Sequence, residues 1–582
     1  MKSLTKLVGL LNGPARLRGS MLLVLIVIGA GLEAGGAGLI FPFISIVGQP
    51  ELIHERSYLR WMYETLGVGS SRAFLVWAAI ALLCFYLLKN AYAAWLLAAQ
   101  NRFVYRNYVE QSSRLLQAYL SRPWSWHLQQ NSAELLRSVN TDVLNVFSNL
   151  MVPLLVVVSE VTIAAAVLAV LVIVAPLPAL VVLALVGGTS AAFYSIIRRR
   201  LERLGRNQQQ EAGEMIKWIN QALGGIKEAK VLGREDYFLH RYDEGVRAFA
   251  EATEYALTVN QLPRLFIETV AVAAMLLIVV IMLARGNEGG SLLPLLGLFA
   301  MASFRLIPSV NRVVGSITRI VYHRAALDVV HRDLKELGGE LVVLSTIREG
   351  DASALSLREG IELADVSFWY PSATDPALRH VSLDIPHGRA AAFVGPSGAG
   401  KTTLVDVIIG LLPPSSGRVL ADGVDVYEDV GAWRRAIGYV PQSIYLSDDS
   451  ILSNVAFGVS DGLVDEARVR QVLKLVQLEE LVETLPDGLQ TFVGERGVRL
   501  SGGQRQRIGI ARALYHDPHV LVMDEATSAL DLETERAITS AMQHLVGVKT
   551  LILIAHHKET IEYCDLVFHL ERGELRGCSK RS

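Results

Sequence analysis

The chain has 582 residues, of which 51% are hydrophobic and 19% charged, with a net charge of −2 and a mean hydropathy of +0.36. It is too apolar for an average soluble protein and too nearly neutral to grip nucleic acid by bulk positive charge. Its three cysteines, Cys84, Cys564 and Cys578, have the spacing of neither a disulfide framework nor a zinc site. The length exceeds what one ordinary domain needs. The apolar excess lies before about residue 330, so the chain is expected to divide into a membrane half and a soluble half.

A helix needs roughly 20 mostly apolar residues to cross a bilayer. Stretches near 20–47, 72–99, 143–174, 177–197, 265–284 and 291–317 meet that need and predict six spans. The first begins near Ser20 and lacks a small-residue cleavage pattern, so it reads as a span rather than a removable leader. Ala175-Pro176-Leu177-Pro178 predicts a tight hairpin between the third and fourth, because proline stops one helix and starts the next. The polar stretches after spans two and four contain helix formers and few glycines or prolines, which predicts helical extensions into the cytoplasm.

Basic residues set the orientation. Arg198-Arg199-Arg200, Arg203 and Arg206 fall on the same side as Lys2, Lys6, Arg16, Arg18, Arg102, Arg106, Arg114 and Arg122 if the spans alternate. Both termini and the soluble half are then cytoplasmic. On the outer side, segment 50–66 carries Leu52, Tyr58, Leu59, Trp61, Met62 and Leu66 on one face and charges on the other. It is expected to lie at the membrane interface, as a rim anchor or as a surface for a lipid tail.

Ionisable residues inside spans cost on the order of 3 kcal/mol each at the helix centre. Lys89, Arg264, Arg305 and Arg312 fall in the cytoplasmic half of three different spans. Arg305 lies about 21 Å from the outer end of span six, and Arg312 follows two turns later on the same face. Lysine and arginine near span ends can snorkel, and Arg264 can pair with Glu268. Arg305 is too deep for that, which points to a cavity for an anionic cargo. Glu33 and Glu160 fit either as partners of these cations or as groups for a polar cargo.

The soluble half carries Gly395-Pro-Ser397-Gly398-Ala-Gly400-Lys401-Thr402-Thr403, a phosphate-binding loop. Its glycines let backbone N–H groups face phosphate ahead of a helix N-terminus. Gln442 follows, then Ser501-Gly502-Gly503-Gln504, then an apolar strand closed by Asp524-Glu525, then Ser528-Ala-Leu-Asp531 and His556. Asp524 should hold magnesium with Thr402 and Gln442, and Glu525 should act as general base toward water.

In this order and spacing the motifs resemble the nucleotide-binding domain of ABC transporters. The resemblance implies ATP and Mg2+ as cofactors, Tyr370 stacked on adenine, His556 as the γ-phosphate switch, and Gln442 coupling the site to the membrane half. It also implies that Ser501, Gly502, Gly503, Gln504 and Asp531 serve an ATP bound by a second subunit. With one loop and one signature per chain, a homodimer with two competent sites is the simplest assembly. Thr491-Phe-Val-Gly-Glu-Arg496-Gly resembles the exporter X-loop, which tells against an importer.

Six spans followed by the ATPase resemble an ABC exporter half-transporter. The implied fold is an all-α six-helix transmembrane domain (1–337), a linker (338–357) and an α/β P-loop ATPase domain (358–582). Coupling helices are expected near Ser121–Leu128 and Gly224–Lys230. Lys89-Asn-Ala-Tyr92, Gln261-Leu-Pro-Arg-Leu-Phe-Ile-Glu268 and Arg305-Leu-Ile-Pro-Ser-Val-Asn-Arg312 look like segments of the PglK-type lipid-linked oligosaccharide flippase of bacterial protein N-glycosylation. Lys89 stands where that family has arginine, which keeps charge but loses bidentate geometry. The resemblance implies ATP-driven flipping of a polyprenyl-pyrophosphate-linked oligosaccharide across the bacterial inner membrane. An exporter of another lipid, a drug or a peptide is the alternative, and a non-transporting ABC ATPase is a more distant one.

Overall fold

The computed structural model describes residues 2–580 except 66, 68–69, 175, 285–291, 339–356, 372, 526–531 and 556–560. The expected linker therefore lies almost wholly outside the described residues, as do Asp531 and His556. The chain divides into two units, one of Met1–Arg122 with Gln130–Leu344 and one of Pro123–Gln129 with Ser345–Ser582.

The first unit is helical. Its long helices are α1 (Gly13–Gly48), α2 (Ser71–Leu120), α3 (Val152–Val174), α4 (Pro176–Gly224), α5 (Glu235–Ala284) and α6 (Leu292–Tyr322), followed by α7 (Arg324–Gly338). The described residues of all six predicted spans are helical, the third passing through π-helical turns at Val146–Met151 before α3. Among the described residues, three stretches are long and apolar enough to cross a membrane: Gly13–Gly36, Ser71–Leu120 and Ser132–Ala169. The proline hairpin holds at its described ends, since α3 stops at Val174 and α4 opens on Pro176. Helices α2, α4 and α5 run 50, 49 and 50 residues. At a rise of about 1.5 Å per residue each is ~75 Å long, more than twice a bilayer's hydrocarbon thickness. The predicted extensions are continuous helix.

Both expected coupling segments contain short helices, Trp124–His127 and Ile226–Leu232. The second stops at Gly233, whose φ of 59° gives a left-handed cap. Val231 and Leu232 at its end are exposed. Segment 50–66 is two short helices, Leu52–Glu55 and Ser57–Thr65, broken where Arg56 turns extended at ψ 122°. Ile53 and Leu59 turn inward onto Ile46 of α1 and Phe74 of α2, leaving Tyr58, Trp61 and Met62 exposed. Of the predicted apolar face, Leu59 is thus buried, Tyr58, Trp61 and Met62 are exposed, and Leu66 lies outside the described residues.

Two of the intramembrane cations have partners. Lys89 Nζ lies 3.0 Å from Glu33, with side-chain exposures of 10% and 12%, and 4.5 Å from the Tyr86 ring centroid. Arg312 Nε lies 2.7 Å from Glu160 across the contact of α6 with α3. Both carboxylates are ion-pair partners of these cations. Arg264 and Glu268 are exposed on α5, and among the described residues no ion pair joins them.

The second unit is built on two sheets. Strands β1 (Gly360–Phe368), β2 (Leu378–Pro386), β3 (Ala390–Val394), β4 (Ser416–Ala421), β5 (Val424–Asp425), β6 (Ile437–Val440), β7 (Val520–Asp524), β8 (Thr550–Ile554), β9 (Leu566–Glu571) and β10 (Glu574–Lys580) form them. The order is β2-β1-β4-β5 in an antiparallel sheet and β10-β9-β3-β8-β7-β6 in the other, where β9-β3-β8-β7-β6 is parallel. Alternate residues of the parallel strands enter two different cores. Ala392, Met523 and Leu553 belong to one, and Phe393, Val522 and Ile554 to the other. A parallel sheet covered on both faces is read in sequence as continuous apolar runs, as β7 and β8 are.

Removing one member of the buried Lys89–Glu33 pair leaves an uncompensated charge, with a cost of about 3–5 kcal/mol. Glu33→Ala should therefore lower the unfolding midpoint in detergent well below that of the double variant Glu33→Leu/Lys89→Met. Equal midpoints would remove the pair from the forces that hold α1 against α2.

Candidate ATP site

Strand β3 is fully buried from Ala390 to Phe393 and delivers the chain to the phosphate loop. Helix α8 (Lys401–Ile408) starts directly after it. Gly400 has φ +98°, and a Cβ there would meet the Ala377 carbonyl at 2.7 Å, so only glycine fits. Lys401 Nζ donates to the carbonyls of Gly395 at 2.8 Å and Pro396 at 3.1 Å, which holds the ammonium against its own loop. Thr402 is exposed, whereas Thr403 is buried with its Oγ1 3.1 Å from the Tyr370 hydroxyl. The Tyr370 ring stands edge-on to Phe368 at 5.0 Å. Ser397 and Gly398 are exposed in the loop between.

Parallel pairing aligns Val440, the last residue of β6, with Met523 of β7. Gln442 and Glu525 therefore leave adjacent strands at neighbouring ends, and Gln442 Nε2 donates to Glu525 Oε2 at 2.7 Å. Glu525 takes φ +50°, which a non-glycine residue adopts at a cost of about 1–2 kcal/mol. Such strain clusters at functional positions. Asp524 stays buried in the strand.

The signature region opens α9 (Gly502–Tyr515). Ser501 Oγ accepts from the Gln504 backbone at 3.2 Å, and the Gln504 side chain accepts from Ser501 N at 2.8 Å. This capping box occupies the Gln504 side-chain oxygen. The N–H groups of Gly502 and Gly503 sit in the first turn, where a helix favours an anion.

Three contributors carry no motif signal of their own. Gln506, buried on α9, donates to the Glu525 carbonyl at 3.5 Å. Arg512, also on α9, donates to the carbonyls of Asn454 and Tyr445 at 2.8 Å each and covers the Phe457 ring. It thereby locks the signature helix to the chain that follows Gln442. Asp406 on α8 has its carboxyl pushed up to about 6, by burial and then by the charge of Asp524. Gln506 and Arg512 follow the signature directly, yet only their burial distinguishes them from ordinary helix polar residues.

The donor set of Thr402 hydroxyl, Gln442 amide and Asp524 carboxylate is all oxygen, which suits a hard ion such as Mg2+. Among the described residues no cluster of three or more His, Cys, Asp or Glu could hold a metal. Mg2+ takes one or two carboxylates and completes its shell with phosphate and water, which the Thr402, Gln442 and Asp524 set allows.

A strand-fed phosphate loop, a strained carboxylate beside a glutamine and a capped signature helix define an ABC-type ATPase domain. The family described as ABC transporter matches residues 378–528, and the ABC transporter transmembrane region matches residues 57–303. The chain belongs to the ABC transporters, and its membrane region and ATPase domain share the fold of an ABC exporter. It is similar to proteins described as ATP-dependent lipid A-core flippase. That of Cupriavidus metallidurans is 35% identical over 389 residues, 66% of this chain and 63% of that protein. That of Mannheimia succiniciproducens is 31% identical over 402 residues, 68% and 66% of the two chains. The chain thus spans just under two thirds of these relatives' length. A solved structure of a bacterial Atm1-family ABC exporter with ATP bound superposes with TM-score 0.76 at 23% identity, covering 98% of this chain and 96% of that one. It shares the fold. The relatives carry the lipid A-core name and not that of the PglK type.

A carboxyl whose folded pKa lies above its unfolded value contributes stability that is complete below the unfolded value and is lost as pH rises through the folded one. Without nucleotide, thermal stability should fall between about pH 4 and about pH 7 less steeply in Asp406→Asn than in the parent. Parallel melting curves across that range would contradict this. Arg512→Met leaves the carbonyl of buried Asn454 unpaired, at about 1–3 kcal/mol, so it should lower the melting temperature and slow ATP turnover together.

Proposed function

We propose that the protein is a homodimeric, ATP-driven flippase that moves an anionic, saccharide-bearing lipid from the cytoplasmic to the outer leaflet of a bacterial inner membrane. The observation that carries the motor is the Gln442–Glu525 hydrogen bond. It tethers the Glu525 carboxylate at the sheet edge where β3 also ends, which supports a general-base role. In the proposed cycle Lys401 and the loop N–H groups bind phosphate, Glu525 accepts a proton from water, and Gln442 orients both. Thr402, Gln442 and Asp524 would hold Mg2+, which supplies charge neutralisation for phosphoryl transfer. Tyr370 would stack on adenine, while Ser501, Gly502 and Gly503 of the partner would close over the same nucleotide. Asp531 and His556 keep their proposed roles on sequence grounds.

For the cargo, we favour a polyprenyl-pyrophosphate-linked oligosaccharide used in protein glycosylation. Arg312 supports it: its side chain keeps 48% exposure while bound to Glu160. Arg305 stands two turns earlier on α6, and Arg264 is exposed on α5. Lys89 is nearly buried against Glu33, so its proposed part in the cavity is the weakest of the four. The relatives' names favour a second reading, in which the cargo is a lipid A-core glycolipid. Both cargoes are phosphate-bearing glycolipids, and they differ in the tail.

Glu525→Gln should bind ATP normally but lose about two to four orders of magnitude in turnover, with flipping lost in parallel. Normal ATPase in that variant would sink the mechanism. In proteoliposomes, Arg305→Ala should keep basal ATPase yet stop translocation of a labelled polyprenyl-pyrophosphate glycan. Unchanged transport would defeat the anionic cavity, and transport of a lipid A-core glycolipid alone would select the second reading.

A further inference from the structure

At the cytoplasmic ends of the first two spans, α1 and α2 enclose a cleft of about 330 Å³. Positions 18, 21, 22 and 25 of α1 and 95, 98, 99, 102, 103 and 106 of α2 line it, in each case one face of a helix. The lining changes character along the cleft. Leu22, Leu25, Trp95 and Ala99 lie toward the membrane end, and Arg18, Arg102, Phe103 and Arg106 toward the cytoplasmic end.

The arginines lack counter-ions. Among the described residues none of the three forms an ion pair with a carboxylate, and Arg102 and Arg106 make no hydrogen bond. Arg18 Nε reaches only the Pro14 carbonyl, at 3.2 Å. The acid one turn beyond Arg106, Glu110, is occupied by the Asn12 amide, and Asn12 in turn accepts from Arg114 at 2.9 Å. Three guanidinium groups at the rim of an apolar cleft thus await an anion that also carries hydrocarbon. The cleft straddles the point where both helices pass from apolar to basic sequence, which is the headgroup level of the bilayer, and Trp95 is the residue type enriched there. Basic pockets between spans on the cytoplasmic side suit anionic lipid headgroups.

We propose that this cleft is a binding site for an anionic phospholipid of the cytoplasmic leaflet. Its phosphate sits among Arg18, Arg102 and Arg106, and one acyl chain lies over Met21 and Trp95. The site is separate from the cations proposed for the cargo, so it does not rest on that reading.

The test uses the full-length protein in detergent, titrated with dioleoyl phosphatidylglycerol or dioleoyl phosphatidylcholine, with bound lipids counted by native mass spectrometry. The triple variant Arg18→Gln/Arg102→Gln/Arg106→Gln should bind phosphatidylglycerol on the order of a hundredfold more weakly, with phosphatidylcholine unaffected. A control with the same charge change, Arg198→Gln/Arg199→Gln/Arg203→Gln, should bind like the parent. If the triple variant does not fold, the exposed single change Arg102→Gln should still weaken phosphatidylglycerol about fivefold. The site is overturned by full retention of phosphatidylglycerol, by equal loss in the control, or by phosphatidylcholine binding as tightly in the parent. It is also overturned if the cleft variant changes oligomeric state, because the face then belongs to an interface between copies.

Discussion

The ATP site depends on the parallel register of β3, β8, β7 and β6. Because these strands run the same way and pair without offset, their C-terminal ends fall along one edge of the sheet. The phosphate loop, Glu525 and Gln442 each leave the sheet there. Open α/β sheets bind ligands along that edge. The register is itself held by burial on both faces, since a one-residue slip of β7 would exchange Val522 for Met523 and send each into the wrong core. Catalytic geometry and core packing are therefore one constraint. A change such as Met523 to a polar residue would disturb Glu525 without touching it.

The membrane unit obeys a different economy. Helices there cannot rely on the hydrophobic effect to choose partners, because lipid is as apolar as leucine. Specific polar contacts take over that task. Lys89 with Glu33 fixes α2 against α1, Arg312 with Glu160 fixes α6 against α3, and the Tyr92 hydroxyl bonds the Leu25 carbonyl at 2.8 Å. A cluster of intramembrane cations thus consists in part of structural pairs.

Much of this was legible in the sequence. Lys401, Gln442, Glu525 and Asp524 stand in motifs whose order fixes their neighbours, and apolar run length alone located six helices. The rest required the third dimension. Glu33 and Lys89 lie on separate spans, and nothing in their spacing distinguishes a partner from a cargo ligand. Asp406 looks like any helical acid until burial and Asp524 set its proton affinity. Gln504 carries a motif role, yet its amide oxygen closes a capping box. The interfacial segment reads as one amphipathic face because the break at Arg56 has no glycine or proline to announce it.

The Glu160 carboxylate also limits how firmly anything can be held nearby. Its Oε1 binds Arg312, and its buried Oε2 has no hydrogen-bond partner. An anion arriving at Arg312 must compete with a tethered rival whose effective concentration never dilutes. Such a rival weakens capture, but it also guarantees departure: the guanidinium regains its own carboxylate as soon as the visitor loosens. If the protein carries an anionic cargo as proposed, release gains more from that reversibility than from affinity.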